Sequence, residues 1–143
     1  MRSLNRIHII LLISIIAACK PIRLQKAGIY AEVTAEEFLR LSKMKDVQII
    51  DVRTQSEFNK SHIAKAINAS YISGNFSEIV ASNHLNTSKT VLIYCETQHR
   101  SLFAARKLHK MGFQKIIDLD KGMMHYRKEG NPYVKADSLN QTN

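Results

Sequence analysis

Cysteine is scarce in this chain, two in 143 residues at Cys19 and Cys95, so at most one disulfide could form. Acidic residues are also few, 12 Asp and Glu against 21 Lys and Arg, for a formal charge of +9. The surplus lies on scattered lysines such as Lys26, Lys43, Lys60, Lys89, Lys107, Lys115 and Lys135. Aromatic residues do not interleave with them, so the charge describes a solvated surface and no nucleic-acid platform is expected. No internal repeat or low-complexity tract is present, and the length suits one hydrophobic core and not two.

The apolar run Ile7 to Ala18, broken only by His8 and Ser14, is too short to span a membrane. Preceded by Arg2 and Arg6, it has the charged and apolar regions of a secretory signal peptide. Its end, Ile16-Ala17-Ala18-Cys19, resembles a bacterial lipobox, which implies cleavage before Cys19 and lipidation of that cysteine. The expected organisation is a lipoprotein signal peptide at 1–18, a lipidated tether at 19–28, a domain at 29–130 and a loose polar tail at 131–143. The protein is then exported and lipid-anchored to the bacterial cell membrane or outer membrane, facing the periplasm. Removing residues 1–18, which carry two arginines and no acid, leaves a domain of formal charge +7 with Cys95 as its lone thiol.

Strands and helices alternate along the domain, which predicts an α/β fold with a mostly parallel central sheet flanked by helices. A short strand near Ile29 precedes Thr34-Ala35-Glu36-Glu37, a capping-box signature, and Phe38, Leu41 and Met44 follow at helical spacing. Val47 to Val52 reads as a strand buried on both faces, and Asn75 to Ser82 as a short helix. Thr90 to Cys95 is an apolar strand that ends at the cysteine. A polar loop follows, and Leu102, Phe103, Ala105, Leu108 and Met111 recur at helical spacing before Gly112, a C-cap. Phe113 to Leu119 is the last strand.

Cys95 therefore stands at the carboxyl end of a strand and ahead of a helix whose first amides have no internal partner. Those amides and the nearby Arg100 favour negative charge, the setting of a nucleophilic thiolate or of an anion beside it. A cysteine closing a buried strand is otherwise a small core hydrophobe. The loop Cys95-Glu96-Thr97-Gln98-His99-Arg100-Ser101 distinguishes the two readings, because it resembles the Cys-x-x-Gly-x-Arg-Ser loop of the rhodanese family of sulfurtransferases. Asp51-Val52-Arg53 with Glu57-Phe58, the segment Ser61-His62-Ile63-Ala64-Lys65-Ala66-Ile67-Asn68, and Asp118 to Tyr126 resemble further motifs of that family. Family glycines are replaced by Ser61, Lys65, Gln98 and Lys121, and the usual tryptophan by Tyr126.

The resemblance implies the three-layer rhodanese arrangement and a sulfur transfer that uses no metal and no cofactor. Cys95 is the expected nucleophile, and Glu96, Thr97, Gln98, His99, Arg100 and Ser101 form the expected substrate loop. Asp51 and Arg53 are expected as a scaffold ion pair, and His62 as a turn-fixing group, since no second His or Cys lies near it at metal-ligand spacing. Arg100 either binds the anionic part of a donor or turns outward to brace the loop, and Ser101 caps the following helix. The expected partners are a small anionic or persulfide sulfur donor and a thiol acceptor, with a protein donor or acceptor as a further option.

Glu96 beside the nucleophile opposes a dianionic donor such as thiosulfate. Gln98 at a glycine position implies backbone strain if positive φ is required there. A phosphatase or arsenate reductase of similar fold resembles Cys-x5-Arg, whereas only four residues separate Cys95 from Arg100 here. A non-catalytic binding or redox-sensing module is the alternative of a different class.

Overall fold

In the computed structural model, which describes residues 28–136, the chain order is β1 (Tyr30–Val33), α1 (Ala35–Ser42), β2 (Gln48–Asp51), α2 (Gln55–Lys60), β3 (Ser61–His62), β4 (Ile67–Asn68) and α3 (Phe76–Ser82). It continues with β5 (Val91–Tyr94), α4 (His99–Lys110), β6 (Ile116–Leu119), α5 (Gly122–Lys128) and β7 (Val134–Lys135). Five strands form one sheet in the order β1-β6-β5-β2-β4, every pairing parallel. The signal peptide, the lipidation site Cys19 and nearly all of the 19–28 tether lie outside the described residues. Among the described residues no helix is long and apolar enough to cross a membrane.

The central strand shows why the sheet is sandwiched. All four residues of β5 are buried, and successive side chains on a strand point to opposite faces. Val91 and Ile93 pack on one side with Phe76 and Val80 of α3 and with Ala104, Ala105 and Leu108 of α4. Leu92 and Tyr94 pack on the other with Ala35 and Phe38 of α1 and with Met123 and Tyr126 of α5. Each fully buried aliphatic or aromatic side chain contributes about 1.5–3 kcal/mol, so both helical layers are held firmly to the sheet. Because the strands are parallel, the chain leaves β2, β5 and β6 at the same carboxyl edge, and the loops carrying Arg53, Cys95 and Gly122 gather there.

Four expectations change. The apolar face of α4 holds the expected Ala105 and Leu108 but takes in Ala104 beside them, while Phe103 is 46% exposed and stacks on Tyr71 at 6.1 Å. The first helix ends before Met44, which is exposed. Thr34 accepts from the Glu37 amide, but the Glu37 carboxylate turns to Arg40, so that capping box is half made. The complete box is at Thr54 and Glu57 on α2. Finally, the 131–143 tail is not loose throughout: Lys135 and Val134 pair antiparallel with Ser61 and His62, so the fold extends past residue 130.

Candidate active site

Cys95 continues the alternation of Val91 and Ile93 and falls on the α3–α4 side, 1% exposed. Its thiol donates to the hydroxyl of Ser101, with Sγ and Oγ 3.6 Å apart. The loop from 96 to 98 then arches over it to the start of α4, with Thr97 and His99 exposed and joined by a 3.1 Å contact between Oγ1 and Nδ1. Ser101, fully buried, does not cap the helix through a backbone amide. Its Oγ lies 2.7 Å from Asp118 Oδ2 and 3.0 Å from the Gln98 carbonyl oxygen.

The carboxylate of Glu96 turns away from the thiol. Arg53 Nη1 donates to it at 2.8 Å, and Arg127 Nη2 donates to its other oxygen. Partial burial pushes this carboxyl up, but the two guanidiniums more than offset it and hold it below the usual range. Arg53 is itself buried, and a buried guanidinium requires paired acceptors. Asp51 supplies them through Nε at 3.0 Å and Nη2 at 2.7 Å, and the Ser61 carbonyl oxygen accepts from Nη2 at 2.5 Å. Asp51 and Arg53 thus form an ion pair close to the loop.

Arg100 faces outward in the sense that its guanidinium binds Glu57 on α2 in two parallel contacts of 2.7 Å. The Arg100 hydrogen bonds hold Glu57 down at about 2, against burial, with Thr54 adding further donors. Of the two expectations for Arg100, the brace is the one observed here. His62 fixes its turn: Nδ1 lies 3.0 Å from the Phe58 carbonyl oxygen and its ring stacks on Phe58 at 4.0 Å.

Backbone geometry explains the glycine replacements unequally. Lys65, Gln98 and Lys121 all have left-handed backbone, with φ of 67°, 71° and 59°. Ser61, at φ −167°, is extended and needs no glycine. Gln98 recovers part of the cost because its Oε1 accepts from the Lys121 amide at 3.3 Å. At Gly122 glycine is retained, and for a steric reason: a Cβ there would lie 2.5 Å from the Glu96 carbonyl oxygen. This close approach lets the Met123 and Met124 amides donate to the carbonyls of Cys95 and Glu96 at 2.8 and 3.1 Å, which fastens α5 to the loop.

The structure therefore brings together all the expected loop residues with Asp51 and Arg53. It adds Glu57, Arg127 and Asp118, which sequence reading did not place at the site. Thr54-x-x-Glu57 was a visible capping signature, and Asp118 was a visible acid within an apolar strand. Arg127 gave no such signal.

This arrangement has counterparts among known proteins. Residues 34–129 match the rhodanese-like domain family. The chain is 30% identical over 101 residues to a putative sulfur carrier protein YrkF of Bacillus subtilis, covering 69% of this chain and 52% of that one. It is 31% identical over 90 residues to thiosulfate sulfurtransferase GlpE of Coxiella burnetii, covering 63% of this chain and 80% of that one. The chain spans about half the length of the first curated relatives it matches. In fold it resembles the polysulfide-sulfur transferase homodimer of Wolinella succinogenes, with a TM-score of 0.64 at 22% identity over 85% of this chain and 91% of that one. With the family match spanning most of the folded part, and the cysteine loop set at the carboxyl edge of a parallel sheet, the chain belongs to the rhodanese-like domain family.

Proposed function

We propose that the protein is a sulfurtransferase that carries sulfane sulfur as a persulfide on Cys95. The observation that carries this reading is the position of Sγ, just past the end of the central strand and 3.6 Å from Ser101 Oγ in the first turn of α4, in a loop with four residues between cysteine and arginine. The Cys95 thiolate attacks the outer sulfur of a donor. A new S–S bond forms, the donor's own bond to that sulfur breaks, and its electron pair leaves with sulfite or a thiolate. An acceptor thiol or cyanide then attacks the outer sulfur and returns Cys95 as a thiolate. Splitting the displacement into two steps is the advantage of covalent catalysis. Amides at the start of α4 stabilise the negative sulfur of both thiolate and persulfide.

Relatives named as thiosulfate sulfurtransferases support thiosulfate as donor. The engagement of Arg100 by Glu57 supports a less charged donor, a low-molecular-weight or protein persulfide. In the proposed setting the domain is tethered through lipid on Cys19 at the outer face of a bacterial membrane, receiving sulfur from, or passing it to, a thiol or a partner protein there. The burial of Cys95 favours one other reading, a non-catalytic binding or redox-sensing module.

Turnover separates the two. The full chain is mixed with cyanide and either thiosulfate or a small persulfide, and thiocyanate is followed. Sustained thiocyanate production that vanishes in Cys95→Ser supports the transferase, whereas none above that variant with either donor supports the module.

A further inference from the structure

Asp118 lies in the middle of the parallel sheet, completely buried, on a strand whose other residues are apolar. A carboxyl group in that position needs either full hydrogen bonding or a proton. It has incomplete bonding. Oδ2 lies 2.8 Å from Tyr30 Oη and 2.7 Å from Ser101 Oγ, whereas Oδ1 reaches no hydrogen-bond partner. An ionised carboxylate would leave one oxygen without a side-chain donor, so in this position the carboxylate is a strong proton acceptor. The same Ser101 oxygen is the partner of the Cys95 thiol at 3.6 Å. Thiol, hydroxyl and carboxyl thus form one continuous chain, and the thiol itself is almost wholly closed to bulk water.

We propose that Asp118 is the positioning residue that takes the Cys95 proton, reached through the hydroxyl of Ser101. With Asp118 in its ionised form, the proton of the breaking S–H bond passes to Ser101 Oγ while the Ser101 proton passes to Asp118 Oδ2. The electron pair stays on sulfur, the carboxylate becomes a carboxylic acid, and total charge is unchanged. The chain then runs in reverse polarity, with Asp118 donating to Ser101 and Ser101 donating to the thiolate. The proton returns the same way when the free cysteine is restored as a thiol.

The neighbouring charges fit this role. Tyr30 and Glu32 face Asp118 from β1, Ser101 faces it from α4, and Cys95 lies beyond Ser101 at the end of β5. Burial raises the Asp118 carboxyl to about 8, the Ser101 and Tyr30 hydroxyls draw it back, and the negative charge of Glu32 adds to the rise. Tyr30 is pushed well above its ordinary range by burial and by Asp118, so it remains a donor. Arg100 is within electrostatic reach of Cys95, on the thiolate side of the exchange.

The use of the proton rests on the sulfur-transfer reading, but its existence does not, and the test keeps the two apart. The full chain is prepared with Cys19→Ser, so that Cys95 is the only thiol, and its rate of alkylation is followed against pH. Two groups sharing one proton titrate in two macroscopic steps. The expected profile is two-step in the parent and single-step in Asp118→Asn, and persulfide formation at neutral pH falls about 10²-fold in the variant, recovering as pH rises. A folded Asp118→Asn whose alkylation profile has the parent's shape overturns the proposal.

Should that variant not fold, the Asp118 carboxyl is titrated by 13C NMR in the parent and in Cys95→Ser. Two steps in the parent and one in the variant support the relay, and identical curves overturn it. If the parent accepts sulfur from neither donor, the sulfur-transfer reading fails, while the alkylation and NMR profiles still decide the relay.

Discussion

Arg100 and Glu57, 43 residues apart in sequence, meet in a two-pronged ion pair with both contacts at 2.7 Å. The pair binds the cysteine loop to the first turn of α2, and in the proposed sulfur transfer it occupies the cation that would otherwise meet an anionic donor. Glu57→Gln keeps an acceptor for the Thr54 amide and removes the charge. The variant should lose about 1 kcal/mol of stability in thermal or urea unfolding. Its rate with thiosulfate should rise relative to its rate with a small persulfide, and an unchanged ratio of the two rates would contradict this account of donor choice.

The same pair sets an acid-sensitive step. Glu57 is held down to about 2, so the unfolded chain binds a proton more readily, and the stabilisation is complete above the ordinary glutamate range and lost as pH falls through about 2. Urea unfolding of parent and Glu57→Gln between pH 6 and pH 2 should show the two curves converging in acid. Curves that stay parallel would contradict the linkage.

Asp118 acts with the opposite sign. Its folded-state carboxyl is raised from 3.8 to about 8, so the folded chain holds a proton that the unfolded chain releases between those values. Its stabilising effect is full below about pH 4 and is lost as pH rises through about 8, with a slope of up to about 1.4 kcal/mol per pH unit. Asp118→Asn has no such proton and should show a flatter stability curve across this window. An equal decline in both proteins, measured by denaturant unfolding, would contradict the assignment.

Backbone conformation gives a contrasting pair of substitutions. Lys65 is exposed with φ 67°, so Lys65→Gly should raise stability by about 1 kcal/mol by removing left-handed strain. Ser61 is extended, so Ser61→Gly should lower it by about 0.5–1 kcal/mol through the added freedom of the unfolded chain. Melting temperatures moving in the same direction would contradict the argument. Gly122→Ala combines a forbidden contact at 2.5 Å with φ +69° and should cost about 2 kcal/mol or more, displacing the loop that holds Cys95.

Much of this was legible in sequence because it depends on local pattern. The apolar run at Val91 to Tyr94 marks the central strand, and Gly112, with φ 100°, ends α4 as its position after Met111 implies. Three of the four replaced glycines proved to be left-handed positions, so the family motif carried true backbone information. The charge network was not legible. Glu96 sits next to Cys95 in the chain and reads as an opposing charge, yet Arg53 and Arg127 arrive from 43 and 31 residues away to neutralise it. In α4, Ala105, Leu108 and Met111 face the core as their spacing implies, but Phe103 stacks on Tyr71 outside it and Ala104 is buried in addition.

The most direct measurement is the intact mass of the full chain, carrying Cys19→Ser, after incubation with thiosulfate and separately with a small persulfide donor. A sulfur carrier at Cys95 should gain about 32 Da, one sulfur atom, that is removed by cyanide and absent when Cys95 is also changed to serine. A folded chain that gains no sulfur from either donor, while Cys95 still reacts with an alkylating reagent, would contradict it.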